Sequence, residues 1–152
     1  MQRKTIGAIS ALVTASLLGI SAVAEPTPED ALDYRKALMM TLRGHIAASS
    51  MIARGLVEND GYLVAHAQGL ENAANELHRV FQEGSNVAES EALPVIWEDQ
   101  EAFAEAISEA QEATAAFVEA AEGGDSEAIM GAFRAVGGSC RGCHDNFRVA
   151  QD

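Results

Sequence analysis

The chain of 152 residues is predicted to be all-α and to fold as an antiparallel four-helix bundle. Alanine and glutamate dominate the sequence, runs of β-branched residues are absent, and no Asn-Gly or Asp-Gly turn lies between alternating strands. Apolar residues instead recur at spacings of three and four in four segments, which is the period of an amphipathic helix. The links between these segments are short, so consecutive helices are expected to run antiparallel.

The first predicted helix opens at Thr27, whose hydroxyl can cap the helix, with Pro28 at the first helical position. Glu29 and Asp30 follow, and their negative charges complement the helix dipole. Gly55 is expected to mark the end of the helix. The core-facing seam contains five apolar residues and one cation, namely Leu32, Arg35, Met39, Leu42, Ile46 and Ala53.

The next two helices are predicted from seams in which spacings of four and three alternate without a break. The second helix runs from about Asp60 to Gly84, and the third from about Pro94 to Ala121, before Gly123 and Gly124. The second seam consists of Leu63, Ala67, Leu70, Ala74, Leu77 and Phe81, and the third of Phe103, Ile107, Ala110, Thr114, Phe117 and Ala121.

The most informative motif lies near the end of the chain, where residues 140–144 read Cys-Arg-Gly-Cys-His. This is the C-x-x-C-H signature of c-type haem attachment. Thiols three residues apart on a helix lie on one face, so Cys140 and Cys143 can both form thioethers with the haem vinyl groups. The imidazole of His144 lies close enough to bind the iron. The motif therefore predicts one covalently bound haem c.

Other uses of the two cysteines are less compatible with the sequence. A thiol redox pair is expected in a βαβ context, with a nucleophilic cysteine at a helix N-terminus, and neither is visible here. A structural zinc site needs about four ligands, and the chain has no second Cys/His pair. A structural disulfide between Cys140 and Cys143 is the remaining alternative.

The fourth helix is predicted to begin at Asp125 or Ser126 and to contain the motif. Its stripe continues the same spacing through Ile129, Phe133, Val136, Cys140, Cys143 and Phe147. The haem anchors therefore lie on the core-facing side, and the haem is expected inside the bundle near one end. Gly137, Gly138 and Gly142 weaken a helix, so we expect them to make room for the macrocycle.

The first 24 residues are predicted to be a cleaved export signal. Arg3 and Lys4 form the charged region, residues 6–20 form the apolar region, and Ala22-Val23-Ala24 fits the small-x-small cleavage pattern. A permanent membrane anchor is the alternative, but the apolar stretch is short for a span. Residues 25–152 suit one domain, and we expect the protein to be periplasmic, because covalent haem attachment takes place outside the bacterial cytoplasm.

The chain is strongly acidic, with a formal net charge of −13. Removal of the signal, which contains only positive charges, would make it more acidic still. This charge argues against nucleic acid as a partner. It is compatible with a basic redox partner met through electrostatic steering, and equally with a charge that only keeps an exported protein soluble. No stable membrane insertion is expected after signal cleavage.

The chain resembles the class II c-type cytochromes, also called the cytochrome c-prime family. The resemblance covers the whole mature chain and is most specific in the motif with its extension through Arg148. Two further segments carry it, Tyr34-Arg35-Lys36-Ala37-Leu38-Met39 and Leu93-Pro94-Val95-Ile96-Trp97. The resemblance implies a four-helix bundle, and it is closest to the low-spin, Met-ligated branch of the c-556 type. Family members are often homodimers through their first two helices, but no exposed face of this chain is apolar enough to decide between a monomer and a homodimer.

The functional divide of this family lies at one residue of the first helix that faces the distal side of the haem. The matching position here, four after Arg35, is Met39. The resemblance therefore implies His144/Met39 ligation and single-electron transfer rather than enzyme catalysis. Core packing is the plainer interpretation of Met39, because methionine often fills gaps. In that case the protein would be a high-spin cytochrome c-prime, open to nitric oxide or carbon monoxide.

The resemblance also implies roles for two arginines. It gives none of the three remaining histidines a leading role. Arg35 is expected near a haem propionate, with an ordinary ion pair in the bundle as the alternative. Arg148 is expected to contact a propionate or to interact with the end of the last helix. His45 is a weaker candidate for the sixth ligand. The remaining two, His66 and His78, lie off the second seam and are expected at the surface.

Overall fold

The computed structural model describes residues 27–150, so the predicted export signal lies outside the described residues. Four long helices and one short helix are present: α1 (Pro28–Ala53), α2 (Tyr62–Glu76), α3 (Val95–Glu98), α4 (Gln100–Gly123) and α5 (Ser126–Phe147). A 3₁₀ turn, Leu77–Arg79, follows α2 directly. None of the helices in this part of the chain is long and apolar enough to cross a membrane.

The four long helices pack as a bundle, which confirms the predicted fold class. α1 packs on α2, α2 on α4, and α4 on α5, so each long helix contacts the next along the chain. The fourth pairing, between α1 and α5, closes the ring but is much sparser than the other three. α1 and α5 therefore contact each other least among the four pairs of neighbouring long helices.

Local signals fix most helix ends where the sequence predicts them. Thr27 and Asp30 form a capping box at the start of α1, with Pro28 in the first turn. Asp125 caps α5 by accepting a hydrogen bond from the backbone N–H of Ala128. Gly124 ends α4 with a φ of +74°, a conformation that favours glycine.

Two predicted boundaries are wrong. The second helix ends at Glu76 rather than Gly84, and the third is interrupted at Asp99, which separates the short α3 from α4. At Asp99 the backbone leaves the helical region, and its side chain accepts a hydrogen bond from Ala102 N, so it caps α4. Beyond Glu76 the chain turns into a loop of residues 80–94, although Leu77 and Val80 remain buried.

The core is divided into two clusters of buried residues. The first surrounds Phe103 and also contains Leu38, Ala73, Ala74, Leu77, Val80, Ile96, Ile107, Ala110 and Phe147. The second surrounds Phe117 and also contains Leu63, Ala67, Leu70, Ala121, Ile129 and Val136. Cys143 packs against the first cluster and Cys140 against the second, so the haem motif lies where the two clusters meet.

Candidate haem site

The two cysteines lie on α5 as free, half-buried thiols. Burial raises the pKa of the Cys140 thiol above its ordinary value. Burial, and to a smaller degree the charges of Cys140 and Glu109, raises the pKa of Cys143 to about 11. Redox-active cysteines instead have lowered pKa values, because the thiolate is the reactive species. These surroundings therefore do not fit a thiol redox pair.

The glycines around the motif face open space. A Cβ atom added at Gly137, Gly138 or Gly142 would meet no protein atom within 4 Å. Each glycine costs a helix roughly 1 kcal/mol relative to alanine. Gly137 and Gly138 are exposed, so packing within the protein does not require glycine there, and the expectation that these glycines make room for the macrocycle stays a prediction.

His144 lies in the last turn of α5 with its side chain exposed, and its backbone carbonyl accepts a hydrogen bond from Arg148 N at 3.1 Å. Desolvation of the buried part of the ring lowers the pKa of His144. The charge of Arg148 lowers it further, and Asp145 opposes both effects. A lowered pKa favours the neutral imidazole, which is the form that binds a metal.

Met39 lies on the inner side of α1, half-buried against the first core cluster. Cys143 packs against the same cluster from α5. The next residue, Met40, is 73% exposed, which fixes the orientation of the helix and leaves Met39 as the inward thioether. The fold therefore places Met39 and the haem motif on neighbouring helices that contact each other only sparsely.

Arg35 is 4% exposed and binds the loop of residues 80–94. Nη1 donates to the carbonyl oxygen of Val80 at 3.3 Å and to Ser85 Oγ at 3.1 Å. Nη2 donates to the carbonyl oxygen of Ser85 at 3.1 Å and to Ser90 Oγ at 3.0 Å. The guanidinium also lies 4.9 Å from the centre of the Phe81 ring. All four acceptors are neutral, and the propionate contact expected for Arg35 stays a prediction.

Arg148 pairs with Glu91, which the sequence analysis did not single out. Nε and Nη2 of Arg148 donate to Glu91 Oε2 at 2.9 and 2.6 Å. Ala92 and Arg148 form an isolated antiparallel bridge, so the backbone brings the two side chains together. The propionate contact expected for Arg148 likewise stays a prediction. A sequence signal for Glu91 is lacking, because the partner of Arg148 lies in a loop without periodicity.

His45 and His66 form a second polar group, at the interface of α1 and α2. Their Nδ1 atoms lie 3.1 Å apart, and both side chains are half-buried. The prediction that His66 is a surface residue is therefore wrong, since α1 covers it. The prediction of an exposed His78 is confirmed. Burial first, and then the charge of His66, lowers the pKa of His45.

The residues present fit a covalently bound haem. Two thiols and an imidazole occur at the attachment spacing on α5, and an inward thioether on α1 packs against the same apolar cluster as Cys143. Together the four-helix fold and this site define a c-type cytochrome of the bundle class. The chain belongs to the cytochrome c-prime family, since the family model described as Cytochrome C' matches residues 30–148. It is thus a monohaem c-type cytochrome, and its cofactor is haem c with iron.

Relatives with different names cover most of the chain. Cytochrome c' of Pararhodospirillum photometricum is 31% identical over 123 residues, which span 80% of this chain and 98% of the relative. Cytochrome c-554 of Cereibacter sphaeroides is 33% identical over 143 residues, which span 90% of this chain and 93% of the relative. Both matches extend over nearly the full length of the relative.

Solved structures of the family have the same fold. A nitric oxide complex of a mutant of cytochrome c prime from Alcaligenes xylosoxidans aligns with a TM-score of 0.78 and 26% sequence identity. The alignment covers 84% of this chain and all of that structure. The bundle described above is therefore the cytochrome c-prime fold.

Proposed function

We propose that this protein carries single electrons through an iron bound by His144 on one side and Met39 on the other. The observation that carries the proposal is the inward position of Met39 on α1, against the same apolar cluster as Cys143. When bound, the haem iron supplies a one-electron redox couple, and His/Met ligation raises its potential. The chain contributes orientation and burial rather than a catalytic group, so the protein is not proposed to be an enzyme.

Each site residue has a distinct task in this proposal. Cys140 and Cys143 anchor the haem covalently at the junction of the two core clusters. His144, whose lowered pKa favours the neutral imidazole, is the proximal ligand. Met39 would supply a thioether, which suits both oxidation states of iron. With both ligands supplied by the protein, the site would change little on electron transfer, which would favour fast exchange.

Gas binding is the second candidate, and the comparisons favour it over electron transfer. Most of the named relatives are cytochromes c', three structural neighbours are nitric oxide complexes and another has carbon monoxide bound. In this function Met39 packs in the core without binding iron, which its half-buried position also permits. Nitric oxide or carbon monoxide would then bind on the distal side.

The absorption spectrum of the haem-loaded protein tests the proposal, recorded oxidised and reduced, with and without carbon monoxide. Electron transfer predicts split α and β bands on reduction that change little when the gas is added. A broad high-spin spectrum that shifts strongly with carbon monoxide would instead establish the gas-binding function. Intact mass under denaturing conditions is the control, since covalent attachment predicts one added haem.

Export and partner choice are part of the same proposal. The predicted signal of residues 1–24 supports a periplasmic location, and the charge of −13 supports a basic redox partner. Electron exchange with a basic partner should slow as ionic strength rises. Self-association through α1 and α2 stays a prediction. Leu56, Val57 and Tyr62 are exposed in the α1–α2 link and at the start of α2, and sedimentation measures whether they are covered by a second copy.

A further inference from the structure

The loop of residues 80–94 is tied at one end to α1 and at the other to the end of α5. At the α1 end, Arg35 uses both terminal nitrogens to bind Val80, Ser85 and Ser90. Ser85 is itself buried, and its hydroxyl donates to the carbonyl oxygen of Gln82 at 2.6 Å. A buried guanidinium needs such partners, because leaving its N–H groups unpaired would cost several kcal/mol.

Ser90 connects the Arg35 hydrogen bonds to the segment of the loop that pairs with the end of α5. Its Oγ accepts hydrogen bonds from Arg35 Nη2 at 3.0 Å and from Ala92 N at 3.1 Å. Ala92 is the residue that bridges to Arg148. One hydroxyl therefore connects the cation on α1 to the backbone segment that pairs with the end of α5.

The second tie is a short antiparallel pairing just beyond the haem motif. Leu93 N donates to the carbonyl oxygen of Phe147 at 2.9 Å, and Val149 N donates to that of Glu91 at 2.8 Å. The Glu91–Arg148 ion pair lies beside these bonds. Arg148 N in turn donates to the carbonyl oxygen of His144 at 3.1 Å. This end of the loop thus reaches the backbone of the candidate proximal ligand.

The two ties join the helices that carry the two candidate iron ligands. Arg35 lies one turn before Met39 on α1, and Arg148 lies one turn after His144. α1 and α5 pack only sparsely on each other, so direct helix contact constrains their separation weakly. The loop supplies a hydrogen-bonded connection across the same interface.

We propose that Arg35, Ser90 and the Glu91–Arg148 pair are positioning residues that fix the separation of Met39 and His144. Loss of the connection lets α1 move relative to α5 and weakens the bond between Met39 and the iron. The inference rests on the proposed function for its description as ligand positioning. It concerns residues that touch neither the iron nor its ligand atoms in that proposal.

Variants Ser90→Ala and Glu91→Gln of the haem-loaded protein test the proposal. Arg79→Gln is the matched control, since it removes an exposed ion pair with Glu76 that is not part of the connection. The measured quantities are the high-spin fraction of the oxidised protein, its carbon monoxide affinity and its thermal midpoint. Ser90→Thr keeps the hydroxyl and is the rescue variant.

Positioning predicts that Ser90→Ala raises carbon monoxide affinity about fivefold, the factor that corresponds to one ordinary hydrogen bond. Its high-spin fraction should rise as well, and Ser90→Thr should restore both values. If Ser90→Ala and Glu91→Gln lower only the thermal midpoint and match Arg79→Gln in spin state and affinity, the loop is purely structural and the proposal is overturned. If Ser90→Ala fails to fold, the spin state and carbon monoxide affinity of Glu91→Gln, which changes an exposed ion pair, decide between the two outcomes.

Failure of the proposed function gives a different result. A wild-type protein that is already high-spin shows that Met39 does not bind iron. The positioning role then still predicts a changed carbon monoxide affinity in Ser90→Ala, because the distal helix has moved. An unchanged affinity in that background would overturn positioning as well.

Discussion

Met39 on α1 and Cys143 on α5 pack against the same apolar cluster, although their helices contact each other less than any other pair of neighbouring long helices in the bundle. In the proposed function Cys143 would help to anchor the haem, and His144 and Met39 would supply the two protein ligands of its iron. This relationship makes residue 39 the position where the two proposed functions diverge.

Replacing Met39 with leucine should remove the sixth ligand while keeping the volume of the core nearly unchanged. We expect low-spin iron to become high-spin, carbon monoxide to bind, and the reduction potential to fall, because Met/His ligation raises it. Visible spectra and a redox titration measure these changes. Met40→Leu, at an exposed neighbouring position, is the control and should match wild type. A Met39→Leu spectrum identical to that of wild type would falsify Met39 ligation.

Acid should weaken the interface of α1 and α2 through His45. The Nδ1 atoms of His45 and His66 lie 3.1 Å apart and the ring centres 5.4 Å apart, so the two nitrogens point at each other. One of them must be unprotonated to accept the hydrogen bond. The lowered pKa of His45 means that, below the unfolded value of 6.5, the unfolded chain binds a proton more readily than the folded one.

Stability should therefore be fully present above about pH 6.5 and should fall as the pH drops toward the lowered folded pKa. Chemical denaturation at about pH 7.5 and about pH 5.5 measures the difference. In His45→Asn this pH dependence should become shallower. His78→Asn, at an exposed histidine, should keep the wild-type dependence. If the stability of His45→Asn depended on pH as steeply as that of wild type, His45 would not contribute to the pH dependence.

Gly69 should resist substitution although it lies inside a helix. A Cβ atom at this position would overlap Cε1 of His45, because the His45 ring occupies the space that a side chain would need. Gly69→Ala should thus lower the free energy of unfolding, despite the gain of about 1 kcal/mol in helix propensity. Gly44→Ala, where nothing lies within 4 Å, should raise it by about that amount. Thermal denaturation of both variants compares them, and stabilisation by Gly69→Ala would contradict the packing described.

Ser49 is a site where a smaller side chain should stabilise the fold. Its side chain is fully buried in α1, and Oγ has no hydrogen-bond partner among the described residues. A buried hydroxyl without a partner costs roughly 1–3 kcal/mol. Ser49→Ala should therefore raise the free energy of unfolding by about 1 kcal/mol, as measured by denaturant titration. Ser50→Ala, at the neighbouring half-buried position, should change it less. A destabilised Ser49→Ala protein would mean that the hydroxyl is paired.

The sequence predicted burial better than it predicted helix ends. All six residues of the third seam, from Phe103 to Ala121, are buried in α4 as expected. Of the second seam, Leu77 remains buried and Phe81 half-buried although the helix ends at Glu76, because spacings of four and three report which residues face the core, not which backbone groups are hydrogen-bonded. The predicted end at Gly84 failed for this reason.

The haem motif could be predicted from the sequence because its functional groups lie in five consecutive residues. The hydrogen bonds and ion pairs around it join residues far apart in the sequence and could not be predicted. Arg35 was recognised as a buried cation in need of partners, but these lie 45 to 55 residues away in a loop without periodicity. The same holds for Glu91 and Arg148, which are 57 residues apart. His66 was assigned to the surface because its pairing with His45 depends on how α1 packs on α2.

Iron-edge X-ray absorption of the reduced, haem-loaded protein tests the central claim most directly, because it identifies the atoms bound to iron. The account predicts one sulfur neighbour in addition to nitrogen, and its loss in Met39→Leu. A wild-type iron with nitrogen neighbours alone, or a sulfur neighbour that persists in Met39→Leu, would contradict the account.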